Sequence, residues 1–168
     1  MGWRALDHPA PMSTLRRESP KDEAKVRLQI VGFAALFDQP DRALDMIKPG
    51  AFDRVIEQSI GARPPLLWEH DPGMVVGAVR NLEITSRGLL VDAVVDQPRA
   101  CELIACRRAM GLSFGYRAMR VGQWMATTAF RGRTLLDVDL VEISVVEQPL
   151  QDMAQIMIVK RLAERAEG

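Results

Sequence analysis

The chain has little histidine: His8 and His70 are the only two in 168 residues. It is also short of cysteine, with two, and of tyrosine, with one, and it carries no net charge because Lys+Arg and Asp+Glu both total 22. Each shortage excludes something. Balanced charge removes the electrostatic ground for nucleic acid as the main ligand. No apolar run approaches the roughly 18 residues that a bilayer span requires, so no membrane partner is expected. The N-terminus lacks an apolar h-region, and Leu6 stands where myristoylation needs Ser or Thr; neither a secretory signal nor lipidation is expected. Cys101 and Cys106 are five apart, which is neither CxxC nor a zinc pattern, and they read as small core residues in a reducing compartment.

What is present is ordinary in bulk, with 48% apolar and 26% charged residues. One domain with a core of its own is the expectation. Residues 1–24, with Pro9, Pro11 and Pro20 among charged and small residues, read as a flexible arm, 25–159 as the domain and 160–168 as a charged tail. Val26, Leu28 and Ile30 alternate with polar residues as a half-buried strand does, and the strand runs to Phe37 before Asp38-Gln39-Pro40-Asp41 breaks it. Pro49-Gly50 opens a helix with Phe52, Val55, Ile56 and Ile60 on one face and Gly61 as its stop. Leu66 to His70 reads as a strand ended by the turn Asp71-Pro72-Gly73. Met74–Ile84 and Leu89–Val95 form a hairpin, and Asp96 caps a helix from Pro98 to about Met110. A strand at Gly111–Arg120 precedes a second hairpin, Trp124–Phe130 with Thr134–Val146, turning at Arg131-Gly132-Arg133; Gln155–Val159 is the last strand. The sum is a β-rich α+β fold: a mostly antiparallel, closed or nearly closed β-barrel with a few flanking helices.

Gly111-Leu112-Ser113-Phe114-Gly115 fits G-x-S-x-G literally, but no histidine follows Ser113. The nucleophile elbow of α/β-hydrolases needs Ser, acid and His in that order. The elbow is therefore excluded, while a serine nucleophile is not, because triads are defined by geometry and role. A base for Ser113 is almost forced to be His70. Alternation puts His70 with Leu66 and Trp68, where burial would lower its proton affinity and keep it neutral. Ser113 shares its face with Gly111 and Gly115, leaving room for a peptide backbone to approach. Leu136, Val138, Leu140, Glu142, Ser144 and Val146 lie on one face of the next strand, and Glu142 interrupts an otherwise apolar stripe. A carboxylate there needs a compensating partner, and an imidazole N–H is a suitable one. Asp137 and Asp139 fall on the other face and are weaker candidates for the acid. That division also argues against a divalent-metal site built from the three carboxylates. Ser144 is a second candidate nucleophile without flanking glycines.

These segments resemble the prohead (capsid-maturation) serine proteases of tailed phages and gene transfer agents. The likeness rests on Ile47-Lys48-Pro49-Gly50-Ala51-Phe52, Pro65-Leu66-Leu67-Trp68-Glu69-His70-Asp71, Gly111-Leu112-Ser113-Phe114-Gly115-Tyr116, Val138-Asp139-Leu140-Val141-Glu142-Ile143-Ser144-Val145-Val146 and Pro149, in that order. It spans about Val26 to Ile158. The resemblance implies a herpesvirus-protease-like barrel and a serine endopeptidase that cleaves major capsid protein, its scaffold segment and itself, acting inside the assembling prohead in the bacterial cytoplasm. It also implies His70 as base, Ser113 as nucleophile, Glu142 as orienting acid, no cofactor or metal, and a homodimer. Backbone N–H groups near Ser113 are the expected oxyanion donors, with Arg117 or Arg120 as helpers. The competing reading is a catalytically silent, scaffold-binding structural protein of the same fold. A third is an esterase acting on small molecules from a deep apolar pocket.

Overall fold

The computed structural model describes residues 26–58, 63–125 and 131–163. The arm at 1–24 with His8, the helix stop at Gly61 and Phe130 in the second hairpin lie outside the described residues. In chain order the elements are β1 (Arg27–Leu36), β2 (Asp45–Ile47), α1 (Asp53–Gln58), β3 (Pro65–Trp68), β4 (Asp71–Ile84), β5 (Gly88–Val95), α2 (Pro98–Ala105), β6 (Gly111–Met125), β7 (Arg131–Val146) and β8 (Ile156–Leu162). The β-rich α+β character is as expected.

The strands run β2-β7-β3-β4-β5-β1-β8, with β6 on β7. Five pairings are antiparallel, while β2 and β3 each pair with β7 in parallel. Of the closed or nearly closed barrel expected, the closed form is not supported, because strand pairing does not close the sheet among the described residues. Between β6 and the segment before β8 there is only an isolated bridge, Gly111↔Gln155, in place of a strand ladder. Apart from that bridge, β6 has a strand partner on one edge alone among the described residues.

The core lies between the sheet and the two helices. Ala51, Phe52 and Val55 bring α1 into it, where Phe52 meets Phe114 edge-on with ring centroids 5.3 Å apart. Ala100, Cys101, Leu103 and Ile104 are the buried stripe of α2, at the spacing of one helical face. That helix ends at Ala105 and not near Met110, and its N-cap is Gln97, not Asp96: the Gln97 carboxamide oxygen accepts from Ala100 N at 2.6 Å. Cys101 is buried, but Cys106 is exposed at the end of α2 and is not the core residue expected.

Three further departures concern where strands begin and end. The strand β2 is only three residues long, too short for periodicity to reveal. It is held by Asp45, which is buried and takes Arg133 Nε at 2.7 Å and the Tyr116 hydroxyl at 2.9 Å. The strand carrying Ser113 does not stop at Arg120 but continues through Met125, and residues 131–133 belong to β7, not to a turn. Strand β8 carries pairing through Lys160, Arg161 and Leu162, into what reads by composition as tail.

Candidate active site

The turn after β3 places His70. Asp71-Pro72-Gly73 is not the turn; those residues already belong to β4, and Trp68 pairs with Asp71. The reversal is made by Glu69 and His70 alone, with φ of 48° and 62°. Two successive left-handed residues are the pattern of a tight hairpin turn that glycine and asparagine usually fill. In a histidine or glutamate that backbone costs on the order of 1 kcal/mol each. It persists because three bonds tie the turn to β7 and the residue after it. Glu69 N donates to Val145 O at 3.0 Å, His70 N donates to Ser144 Oγ at 3.2 Å, and Glu147 N donates to Glu69 Oε1 at 2.5 Å. Because the strand ends at Trp68, alternation does not carry to His70, which shares a groove with Leu67 instead of lying beside Leu66.

Strand β7 supplies Glu142 and Ser144. Core residues along β7 are Leu135, Val138, Ile143 and Val145, a sequence that changes parity and so cannot be one unbroken alternation. The ladder to β6 shifts register between Gly115 and Tyr116, leaving Val141 without a partner, and again between Arg120 and Val121, leaving Leu136 out. Each extra residue rotates the strand by one face. Glu142 and Ser144 therefore lie opposite the core face set by Ile143 and Val145; the single apolar stripe expected from sequence does not exist. Both are nonetheless buried, Glu142 to 6% and Ser144 to 0% exposure.

The partner that a buried carboxylate requires is present. Glu142 Oε1 lies 2.6 Å from His70 Nδ1, and Ser144 Oγ donates to Glu142 Oε2, also at 2.6 Å. The His70 ring remains 44% exposed. The hydrogen bond to Glu142 raises the proton affinity of His70 above the ordinary histidine value; burial opposes this, and the charges of Glu142 and Glu69 add to it. The direction is opposite to the one that burial beside Leu66 and Trp68 would have given.

Strand β6 brings Ser113 to this face. Ser113 pairs with Ser144 and Gly115 with Glu142, so all four lie on the same side of the β6–β7 ladder. Ser113 is 8% exposed. None of the described hydrogen bonds joins it to His70. The ring of His70 and the Glu142 carboxylate open onto a groove with Leu67, Val75, Tyr116 and Arg117, whereas Ser113 borders a smaller hollow with Leu112, Gln151 and Ala154; Tyr116 is common to both. Asp139 is engaged elsewhere, 3.5 Å from Arg117, and Asp137 accepts from Arg54. Of the two arginines considered, Arg117 lines the groove and Arg120 does not.

The glycines have a different purpose from the one expected. A Cβ on Gly115 would stand 2.4 Å from Glu142 Oε1, and one on Gly111 would stand 2.7 Å from Pro149 Cδ. Gly115 makes room for the Glu142 carboxylate, not for an incoming peptide. Gly115→Ala is expected to push Glu142 off its position and cost about 1–3 kcal/mol as an overpacked site. A lower urea midpoint with an unchanged slope would show it; an unchanged midpoint would mean that the carboxylate has other room.

A family model described as caudovirus prohead serine protease matches residues 14–167. No curated protein matches the sequence. Similar solved structures include KSHV protease in complex with a hexapeptide phosphonate inhibitor (16% identity, TM-score 0.48, 71% of this chain and 59% of that one). Another is varicella-zoster virus protease (13% identity, TM-score 0.39, 68% of this chain and 57% of that one). The chain thus spans less than two thirds of the length of those proteases.

Proposed function

Because the chain belongs to the caudovirus prohead serine protease family, we propose that it is a serine endopeptidase in which His70, Ser113 and Glu142 form the triad. One observation carries the assignment: the 2.6 Å contact between His70 Nδ1 and a buried carboxylate, on the face of the β6–β7 ladder that also carries Ser113. Glu142 fixes the ring through Nδ1, which leaves Nε2 to take the Ser113 proton. The Ser113 oxygen attacks the scissile carbonyl, and the proton held on His70 passes to the leaving amine. Water then releases the acyl-enzyme, with His70 again the base. The absence of a direct Ser113–His70 bond is compatible with this chemistry, since catalytic bonds often tighten only on substrate binding.

Ser113 is favoured over Ser144 as nucleophile on the same geometry. Ser144 is fully buried and its hydroxyl is committed on both sides, donating to Glu142 and accepting from His70 N. Beyond Leu112, whose N–H donates to Ala154 O, this edge of β6 has no strand partner among the described residues and suits an extended substrate segment, which would add as a further strand beside Ser113. Major capsid protein and its scaffold segment, cut inside the assembling prohead, are the proposed substrates.

A serine-directed phosphonate or acylating probe tests the reading against the silent structural alternative. A single adduct on the peptide containing Ser113, blocked by prior acidification, is expected. Quantitative binding to capsid protein with no adduct at any serine would favour the structural alternative instead.

A further inference from the structure

Ser144 lies where the strained turn, the carboxylate and the strand pair meet. Its hydroxyl makes two bonds in different directions: it donates to Glu142 Oε2 at 2.6 Å and accepts from the backbone N–H of His70 at 3.2 Å. Through the first it fixes the carboxylate whose other oxygen holds His70 Nδ1. Through the second it satisfies the amide of a residue held at φ 62°. A single side chain thus sets both the position of the imidazole's backbone and the position of the acid that orients its ring. We propose that Ser144 is a positioning residue of the proteolytic site, locking Glu142 and the Glu69–His70 turn into one arrangement. The proposal rests on His70 being the general base.

The alternative, a serine that merely fills space in a buried strand, does not account for its contacts. Ser144 is 0% exposed, so neither bond can be replaced by bulk water when the hydroxyl is removed. Among the described residues no buried side-chain polar atom is left without a partner, and loss of this hydroxyl would remove the partner described for Glu142 Oε2. A buried carboxylate stripped of one donor holds more tightly to the proton it shares with its remaining partner. The remaining partner is His70. The other charged groups about the ring are Glu69 in the turn and Arg117 of β6 in the same groove, and neither takes part in the described hydrogen bonds of the Ser144 hydroxyl.

The test separates positioning from folding and from the protease reading itself. In a Ser113→Ala background, which is inert on the proposed mechanism, the His70 ring is titrated by NMR with and without Ser144→Ala. His8 is the only other histidine, so assignment is direct. An upward shift of the His70 midpoint, on the order of one unit as befits the loss of one hydrogen bond to a carboxylate, is expected. With Ser113 restored, Ser144→Ala should lower kcat about tenfold, leave KM within twofold and move the acid limb upward by the same amount. If Ser144→Ala does not fold, Ser144→Cys, which keeps the shape but offers a weaker donor, should shift the midpoint in the same direction. An unmoved midpoint in whichever variant folds overturns the positioning role. It leaves the protease reading standing, because that reading is judged by probe labelling and by Ser113→Ala alone.

Discussion

With Ser113 replaced by alanine, major capsid protein co-expressed with this chain should keep its full-length N-terminus. The size of the effect follows from what the hydroxyl does. Acyl transfer needs an oxygen that can bond to the carbonyl carbon, and a methyl group cannot supply one. Water attacking in its place would not be held against the carbonyl as the Ser113 oxygen is, and loss of a nucleophile in a triad typically costs about 10⁴-fold or more in kcat. Folding should be spared, since Ser113 takes part in none of the described side-chain hydrogen bonds that hold the turn, and alanine fits the space of a serine on a strand. The measurement is the intact mass of the capsid protein with each variant, together with a thermal melt. Cleavage at the wild-type rate by Ser113→Ala would move the nucleophile elsewhere, and Ser144 would then be the residue to test.

Glu142→Gln is expected to be the second most damaging change, and its pH behaviour is its signature. In the wild-type protein the His70 pKa is raised, first by the bond to Glu142, against the opposing effect of burial, with further contributions from the charges of Glu142 and Glu69. A base works only when neutral. Wild-type cleavage should therefore fall as pH drops through a midpoint above the ordinary histidine value of about 6.5. A glutamine removes the carboxylate's charge and its charge-assisted bond while burial stays, so the midpoint should drop towards or below 6.5. The plateau rate should drop too, by roughly 10⁴-fold if the imidazole is held in the wrong tautomer as amide replacement of a triad acid can do. A kcat/KM profile between pH 5 and 9 reads both effects. An acid limb that stays in place in Glu142→Gln would mean that Glu142 is not the group that governs His70.

Much of this site was legible before any coordinate. The shortage of histidine left His70 as the sole candidate base within the expected domain, whereas the glycines beside Ser113 read as room for a peptide and instead accommodate Glu142 and Pro149. A carboxylate read into the stripe Val138, Leu140, Ser144 and Val146 called for a buried partner, and Glu142 has one although that stripe does not form. The strand content was also readable, because β5 and the first half of β1 keep the period-two alternation that one buried face imposes, although β4 buries Val76, Val79 and Leu82 at intervals of three. The least legible parts were those in which one residue alters everything after it. Val141 and Leu136 each insert an unpaired position into β7, so the face read forward from Leu136 is not the face on which Glu142 stands. Glu69-His70 carries no glycine or asparagine to announce a left-handed turn, and Asp71-Pro72-Gly73 next to it announces one that does not form.

Ser144 shows the same division from the other side. As a letter it was only a second serine in a strand. Its bond to Glu142 runs along β7 itself, but its bond to His70 N depends on which strand lies beside β7, and β3 lies there in parallel, a neighbour that no local pattern specifies. Side-chain polarity and short-range periodicity suffice to read the inventory: which groups able to do chemistry exist, which call for burial and which stretches are extended. Which of them meet is a matter for the folded chain. Bulges, an unexpected two-residue turn and long-range strand pairing set the directions of side chains, and those are properties of backbones in contact, not of residues in order.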